Sequence, residues 1–147
     1  MREETDPASQ LVVDSSFVVR LLTRFPQSRY ATLWREWEIS GVEVTAPSLI
    51  TYEVTNAIWQ YEQAGDLSTD AAVRSVNRLN LLPIHLISIG EMHVRALEVV
   101  RRFPERKAYD SHFVALADLL DCELWTSDKK LYNRMNHQLP WVRLVDE

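Results

Sequence analysis

The stretch LVVDSSFVVRLLTR (11–24) decides the fold. Its first four residues, LVVD, form an apolar, β-branched run of the kind that makes a strand buried on both faces. The run ends in an acid, Asp14, and from residue 16 to 24 the apolar positions fall at helical spacing. A buried strand that hands its chain to a helix through a carboxylate is the first half of a βαβ unit, and the rest of the chain repeats the alternation. A second helix is predicted over 28–40, set off by Pro26 and stopped by Gly41, and VEVTA (42–46) reads as the second strand. Pro47 and Ser48 open a helix that Gly65 ends, and Ser68 or Thr69 caps another that runs to about Leu82. IHLI (84–87) is the third strand. Ser88 and Glu91 have capping-box spacing at the head of a helix that ends near Phe103 and Pro104. A helix over about 109–121, the strand CELWT (122–126), a short helix capped by Asp128 and the strand WVRLV (141–145) complete the pattern.

Strands alternating with helices predict an α/β protein with a mainly parallel five-stranded sheet and helices on both faces. In such sheets ligands bind at the carboxyl ends of the strands. Four acids belong to that edge. Asp14 ends the first strand, and Asp128 follows the fourth by two residues. Glu53 lies about 1.5 turns into the helix that leaves the second strand. Asp110 begins a helix that runs back against the strand direction, so its first turn starts at the same edge. Two carboxylates 4 Å apart repel by about 4 kcal/mol at an effective dielectric near 20. Helix N-termini under Asp110 and Asp128 recover only ~0.3–1 kcal/mol each. The crowding calls for Mg²⁺ or Mn²⁺ held by oxygen ligands and water, a cation suited to phosphodiester chemistry.

Composition bounds the remaining choices. The 147 residues fit one domain, 1–147, with a polar tail over 1–10 (MREETDPASQ). The single cysteine, Cys122, excludes an intramolecular disulfide framework and a thiolate zinc site, which predicts a reducing compartment, the cytoplasm. The apolar stretch 11–22 is short and interrupted by Asp14 and Arg20, so neither a signal peptide nor a membrane span is expected. A formal charge of −5 argues against polyanion binding by the whole surface and leaves room for a local basic rim. The histidines, at 85, 93, 112 and 137, have no zinc-binding spacing. His112 is the one nearest the acids.

The segments LVVDSS (11–16), YEVTNAI (52–58), AYDSHFVALADLLDCELWTSD (108–128) and the KKL that follows resemble a PIN-domain nuclease. Their order and the chain length are similar to those of VapC-type toxins from prokaryotic toxin–antitoxin pairs. The resemblance covers nearly the whole chain. It implies a three-layer α/β/α sandwich that hydrolyses RNA phosphodiester bonds with Mg²⁺ or Mn²⁺, a small cognate antitoxin and a homodimer. Asp14, Glu53, Asp110 and Asp128 take the metal-binding, catalytic positions, and Asp118 is assigned no role.

Neighbouring residues extend the candidate site. Asn56 is one turn after Glu53 on the same helix face, and Ser16 and Thr126 flank acids that they could orient. Ser15 and Ser127 read instead as turn and capping hydroxyls. Arg106 and Lys107 precede Asp110, and Lys129 and Lys130 follow Asp128, where an RNA backbone would meet them. Arg101, Arg102 and Arg134 belong to the same two basic clusters, although Arg101 and Arg102 equally suit a solvated helix end. The tryptophans are mostly expected in the core. Tyr30, Trp34 and Trp37 make a bulky stripe at helical spacing, either core or a groove for an antitoxin helix. Of the rivals, a haloacid-dehalogenase-type phosphatase needs an acid where Ser16 stands. A nucleotide-binding loop needs glycines beyond Gly41, Gly65 and Gly90. The remaining alternative is a PIN-like domain that binds RNA or protein without cutting.

Overall fold

The computed structural model describes residues 9–146. Of the polar tail expected over 1–10, residues 1–8 lie outside the described residues, and Gln10 already belongs to the first strand. The elements run β1 (Gln10–Val13), α1 (Ser15–Thr23), α2 (Arg29–Ile39), β2 (Glu43–Pro47), α3 (Leu49–Gln63) and α4 (Thr69–Leu81). They continue with β3 (Ile84–Ile87), α5 (Gly90–Arg102), α6 (Tyr109–Leu120), β4 (Glu123–Thr126), α7 (Lys129–Met135) and β5 (Val142–Leu144). Each element expected from the sequence is present, with ends displaced by a residue or two.

The sheet order is β3-β2-β1-β4-β5, and every pairing is parallel. β1 is central: Leu11 faces Val44 of β2 on one side and Glu123 of β4 on the other. Helices cover both faces of this strand, so Leu11, Val12 and Val13 are all buried. Each such side chain stabilises the fold by roughly 1.5–3 kcal/mol. β3, at the edge, has half-buried Ile84 and Ile87 at its ends and exposed His85 and Leu86 between them. The helices form two layers. α1 packs on α2, α3 and α4, whereas α6 packs on α5 and lies over β1, β2 and β4. The chain builds β1, β2 and β3 outward in one direction and then returns to add β4 and β5 on the other side of β1. The reversal falls between β1 and β4, where sheets of this kind open a crevice. No helix among the described residues is long and apolar enough to cross a membrane.

One open alternative is settled here and one expectation is corrected. The stripe on α2 is core. Tyr30 and Trp34 are buried, and Trp37 stacks on Phe17 with ring centroids 5.3 Å apart and meets Trp125 edge-on at 5.6 Å. The groove that an antitoxin helix would fill is filled by the protein's own Phe17 and Trp125. The capping box at Ser88 and Glu91 does not form either. α5 starts at Gly90 with Ile89 at the N-cap, so Ser88 sits one residue too early to reach the third helical amide. Trp59 also departs from the core expectation, being 52% exposed.

Candidate metal and nucleic-acid site

Asp14 is the hub. It follows β1, caps α1 and is 6% exposed. Its Oδ1 accepts from the Phe17 backbone N–H at 3.0 Å and from the Ser16 hydroxyl at 2.6 Å, and its Oδ2 accepts from the Thr126 hydroxyl. Ser16 Oγ also accepts the Ser127 N–H at 3.1 Å, and Thr126 Oγ1 accepts the Asp128 N–H at 3.0 Å. These bonds tie the end of β4 to the end of β1 across the crevice. Thr126 thereby touches two acids at once: its proton is on Asp14, and its oxygen holds the backbone of Asp128. Asp128 in turn caps α7, its Oδ1 accepting from the N–H groups of Lys130 and Leu131 at 2.9 and 3.2 Å.

Glu53 reaches the same edge from α3. Its Oε1 accepts the Ser15 hydroxyl at 2.8 Å, so Ser15, read from the sequence as a turn residue, orients an acid. Asp110 stands in the first turn of α6. Burial pushes the Asp14 carboxyl up to about 6 against its hydrogen bonds to Ser16, Thr126 and Phe17, and the charge on Asp110 adds to the rise. Asp110 is also pushed up to about 6, by burial first and then by Glu105, Glu53 and Asp128, with Arg134 opposing. Burial raises Glu53 as well, with Ser15 opposing and Asp14 adding. Asp14, Glu53 and Asp110 are thus each raised by a neighbouring acid as well as by burial, and Asp128 acts on Asp110. Glu105 is a fifth member that sequence reasoning missed. It lies in the loop before α6 and pairs with Arg134, a contact that no periodicity announces.

Two clefts open beside the acids. One, of about 520 Å³, is lined by Ser15, Ser16, Arg20, Asp128, Lys129 and Lys130 among others. The second, of about 470 Å³, is lined by Leu49, Tyr52, Glu53, Asn56, Glu105, Lys107, Tyr109 and Asp110. The basic residues divide accordingly. Lys129 and Lys130 flank the first cleft, Lys107 flanks the second, and Arg106 is exposed but lines neither. Arg102 bonds Gln138 at 3.0 Å and lines a different cleft, and Arg134 is engaged by Glu105. His112 is held by Ala108 O at 2.8 Å and by His93 at 2.9 Å. Asp118 pairs with Arg95, a contact that joins α6 to α5.

Among the described residues no three acidic, histidine or cysteine side chains stand close enough together to hold one ion directly. The donor set nevertheless fits a hydrated cation. Mg²⁺ takes one or two carboxylates and keeps several waters, and every candidate ligand here is a hard oxygen. Ser127 Oγ, buried at the rim of the first cleft with no hydrogen-bond partner among the described residues, is a spare polar atom for such a water shell.

Comparison with known families matches residues 11–136 to the PIN domain. No curated protein matches the chain in sequence. Among solved structures, a toxin–antitoxin complex from Klebsiella pneumoniae is similar at 17% identity and a TM-score of 0.64, covering 93% of this chain and 98% of that one. PAE2754 from Pyrobaculum aerophilum aligns at 18% identity and a TM-score of 0.64 over 86% of this chain and 85% of its own. VapBC2 from Rickettsia felis, bound to a DNA fragment from its promoter, aligns at 14% identity and a TM-score of 0.61, covering 86% and 94%. At these identities the likeness is one of fold.

Proposed function

The chain belongs to the PIN-domain family, and from that premise we propose that it is a divalent-metal-dependent ribonuclease, the toxin of a toxin–antitoxin pair. The observation that carries the reading is the convergence of acids at the carboxyl edge, where Asp14, Glu53 and Asp110 are raised first by burial and then by neighbouring carboxylates, Asp128 among those acting on Asp110. Acids that raise one another's proton affinity are poorly placed for folding and well placed for a cation. The similarity to solved toxin–antitoxin complexes supports the second half of the proposal. The same reading carries a small antitoxin, a homodimer and a cytoplasmic setting.

In this reading Asp14, Asp110, Asp128 and Glu53 hold Mg²⁺ or Mn²⁺, some of them through water. The ion, when bound, supplies Lewis acidity to the scissile phosphate and lowers the pKa of a bound water. Ser16 and Thr126 fix the rotamer of Asp14, and Ser15 fixes that of Glu53, so the acids need little reordering when the substrate arrives. Glu53 and Asp110 line the second cleft, and a carboxylate oxygen of either that the ion does not engage would take the proton released as water attacks phosphorus. Asn56 lies beside Glu53 in the second cleft, within reach of the same water or phosphate. Lys129 and Lys130 on one side and Arg106 and Lys107 on the other receive the flanking phosphates. Purified protein should cleave RNA with Mg²⁺ or Mn²⁺, stop in EDTA, and lose at least ~100-fold in rate on Asp14→Asn or Asp110→Asn. Cleavage that persists in EDTA overturns the metal reading, and wild-type rates in both variants overturn the site.

A further inference from the structure

We propose that Tyr52 and Tyr109 form a seat for an unpaired nucleobase beside the scissile phosphate, an inference that rests on the ribonuclease reading above. The two rings come from different helices, α3 and α6, and line the same cleft of about 470 Å³. Tyr52 is 74% exposed and Tyr109 54% exposed. Neither enters a side-chain hydrogen bond, ring pair or cation–π contact among the described residues. Each immediately precedes a site acid, Tyr52 before Glu53 and Tyr109 before Asp110. Ring and carboxylate are thus delivered to the crevice by the same helical turn.

The charge of this cleft selects its occupant. Glu53, Glu105 and Asp110 line it against the single cation Lys107, whereas the first cleft carries Lys129 and Lys130 beside Asp128. With three acids set against Lys107, the former draws a continuing run of phosphates less strongly than the latter does. A neutral base does not depend on that attraction, and an aromatic face gives it a stacking surface. Asn56, one turn after Tyr52 on α3, lines the same cleft and has no partner among the described residues, so its amide can offer a donor and an acceptor to a base edge. A duplex keeps its base faces stacked internally and cannot use the seat, whereas a loop or a single strand can. The chain therefore divides its substrate, with base on the tyrosines, scissile phosphate at the acids and the continuing backbone on the lysines.

The test uses full-length protein and a single-stranded RNA of about ten nucleotides, beside the same sequence as a duplex. Far-UV circular dichroism and solution mass are recorded for each variant. Tyr52→Leu and Tyr109→Leu keep the apolar bulk and remove the ring. Each should raise KM for the single strand by roughly 5- to 100-fold with a smaller change in kcat, the range expected for losing one base–aromatic stack. Tyr52→Phe and Tyr109→Phe should restore it, and an abasic nucleotide in the substrate should cost the wild type a similar factor. Equal cleavage of duplex and single strand by the wild type, or unchanged KM in both leucine variants, overturns the proposal. So does a leucine variant that alters solution mass while KM holds, because the rings would then belong to a protein interface. If the wild type cuts no RNA, the ribonuclease reading fails. Anisotropy of the labelled single strand then reads the seat separately: weaker binding to the leucine variants sustains it, and equal binding overturns it.

Discussion

At the scale of single residues, Asp14 shows how a site is paid for in stability. Its carboxyl stands at about 6 where the ordinary value is 3.8, so the folded chain holds that proton more tightly than the unfolded one. Stability in the absence of metal is then greatest below the unfolded value, falls as pH rises from about 4 to 6, and is flat beyond. A shift of this size corresponds to about 3 kcal/mol for a buried group. Metal-free protein should therefore melt at a higher temperature at pH 5 than at pH 7.5. Asp14→Asn should raise the pH 7.5 value and flatten the slope, both read by thermal denaturation in EDTA; identical profiles for the two proteins would show that Asp14 is not strained. Thr126 tests the hydroxyl that links two acids. Thr126→Val keeps the shape but removes the proton on Asp14 and the acceptor for the Asp128 N–H, and should lower Mn²⁺ affinity by about 10- to 100-fold, read by calorimetry. The contacts of Ser16 and Thr126 with Asp14 were legible because each sits within two residues of an acid at a strand end. Ser15 and Glu105 were not, since one acts across to α3 and the other through a loop, and neither distance is encoded in local spacing.

Among the elements, α2 carries the alternative that the sequence leaves open. Its apolar positions have the period of a helix, which the sequence displays, but periodicity cannot say whether a bulky face meets the protein or a partner. The structure answers with Phe17 at 5.3 Å and Trp125 at 5.6 Å from Trp37. Trp37→Ala should therefore destabilise the domain by about 3 kcal/mol or more in denaturant titrations, the range for truncating a packed tryptophan. A variant as stable as wild type would return the stripe to the surface. Ser28 caps the same helix by accepting the Ala31 N–H at 3.2 Å, and its loss to alanine should cost only ~1 kcal/mol, so a comparison of the two variants separates packing from capping. Strands and helices were legible throughout because apolar period and turn residues agree. The false capping box at Ser88 shows the limit: the motif is real in sequence, yet the helix begins one residue later than it requires.

For the whole molecule, the sequence carried the carboxyl edge but not the point along it where the crevice opens. Alternating elements imply that Asp14 and Asp128 share an edge. Only the order β3-β2-β1-β4-β5 brings the two strand ends together, by putting β4 beside β1, and that order depends on pairings between residues more than a hundred positions apart. The fold thereby gathers acids from both ends of a chain that already carries a net charge of −5, which makes the apo state the strained one. A cation that binds only the folded form should relieve that strain, contributing about 2.7 kcal/mol at one hundred times its dissociation constant. Mn²⁺ should thus raise the melting temperature of the wild type at pH 7.5 more than that of Asp14→Asn. Protons and metal compete for Asp14 and Asp110, both near 6, so the increment should shrink at pH 5 even though the metal-free protein is more stable there. A pH-independent increment, or one equal in wild type and variant, would mean that the ion binds elsewhere and that the four acids at the edge of β1 and β4 do not share it.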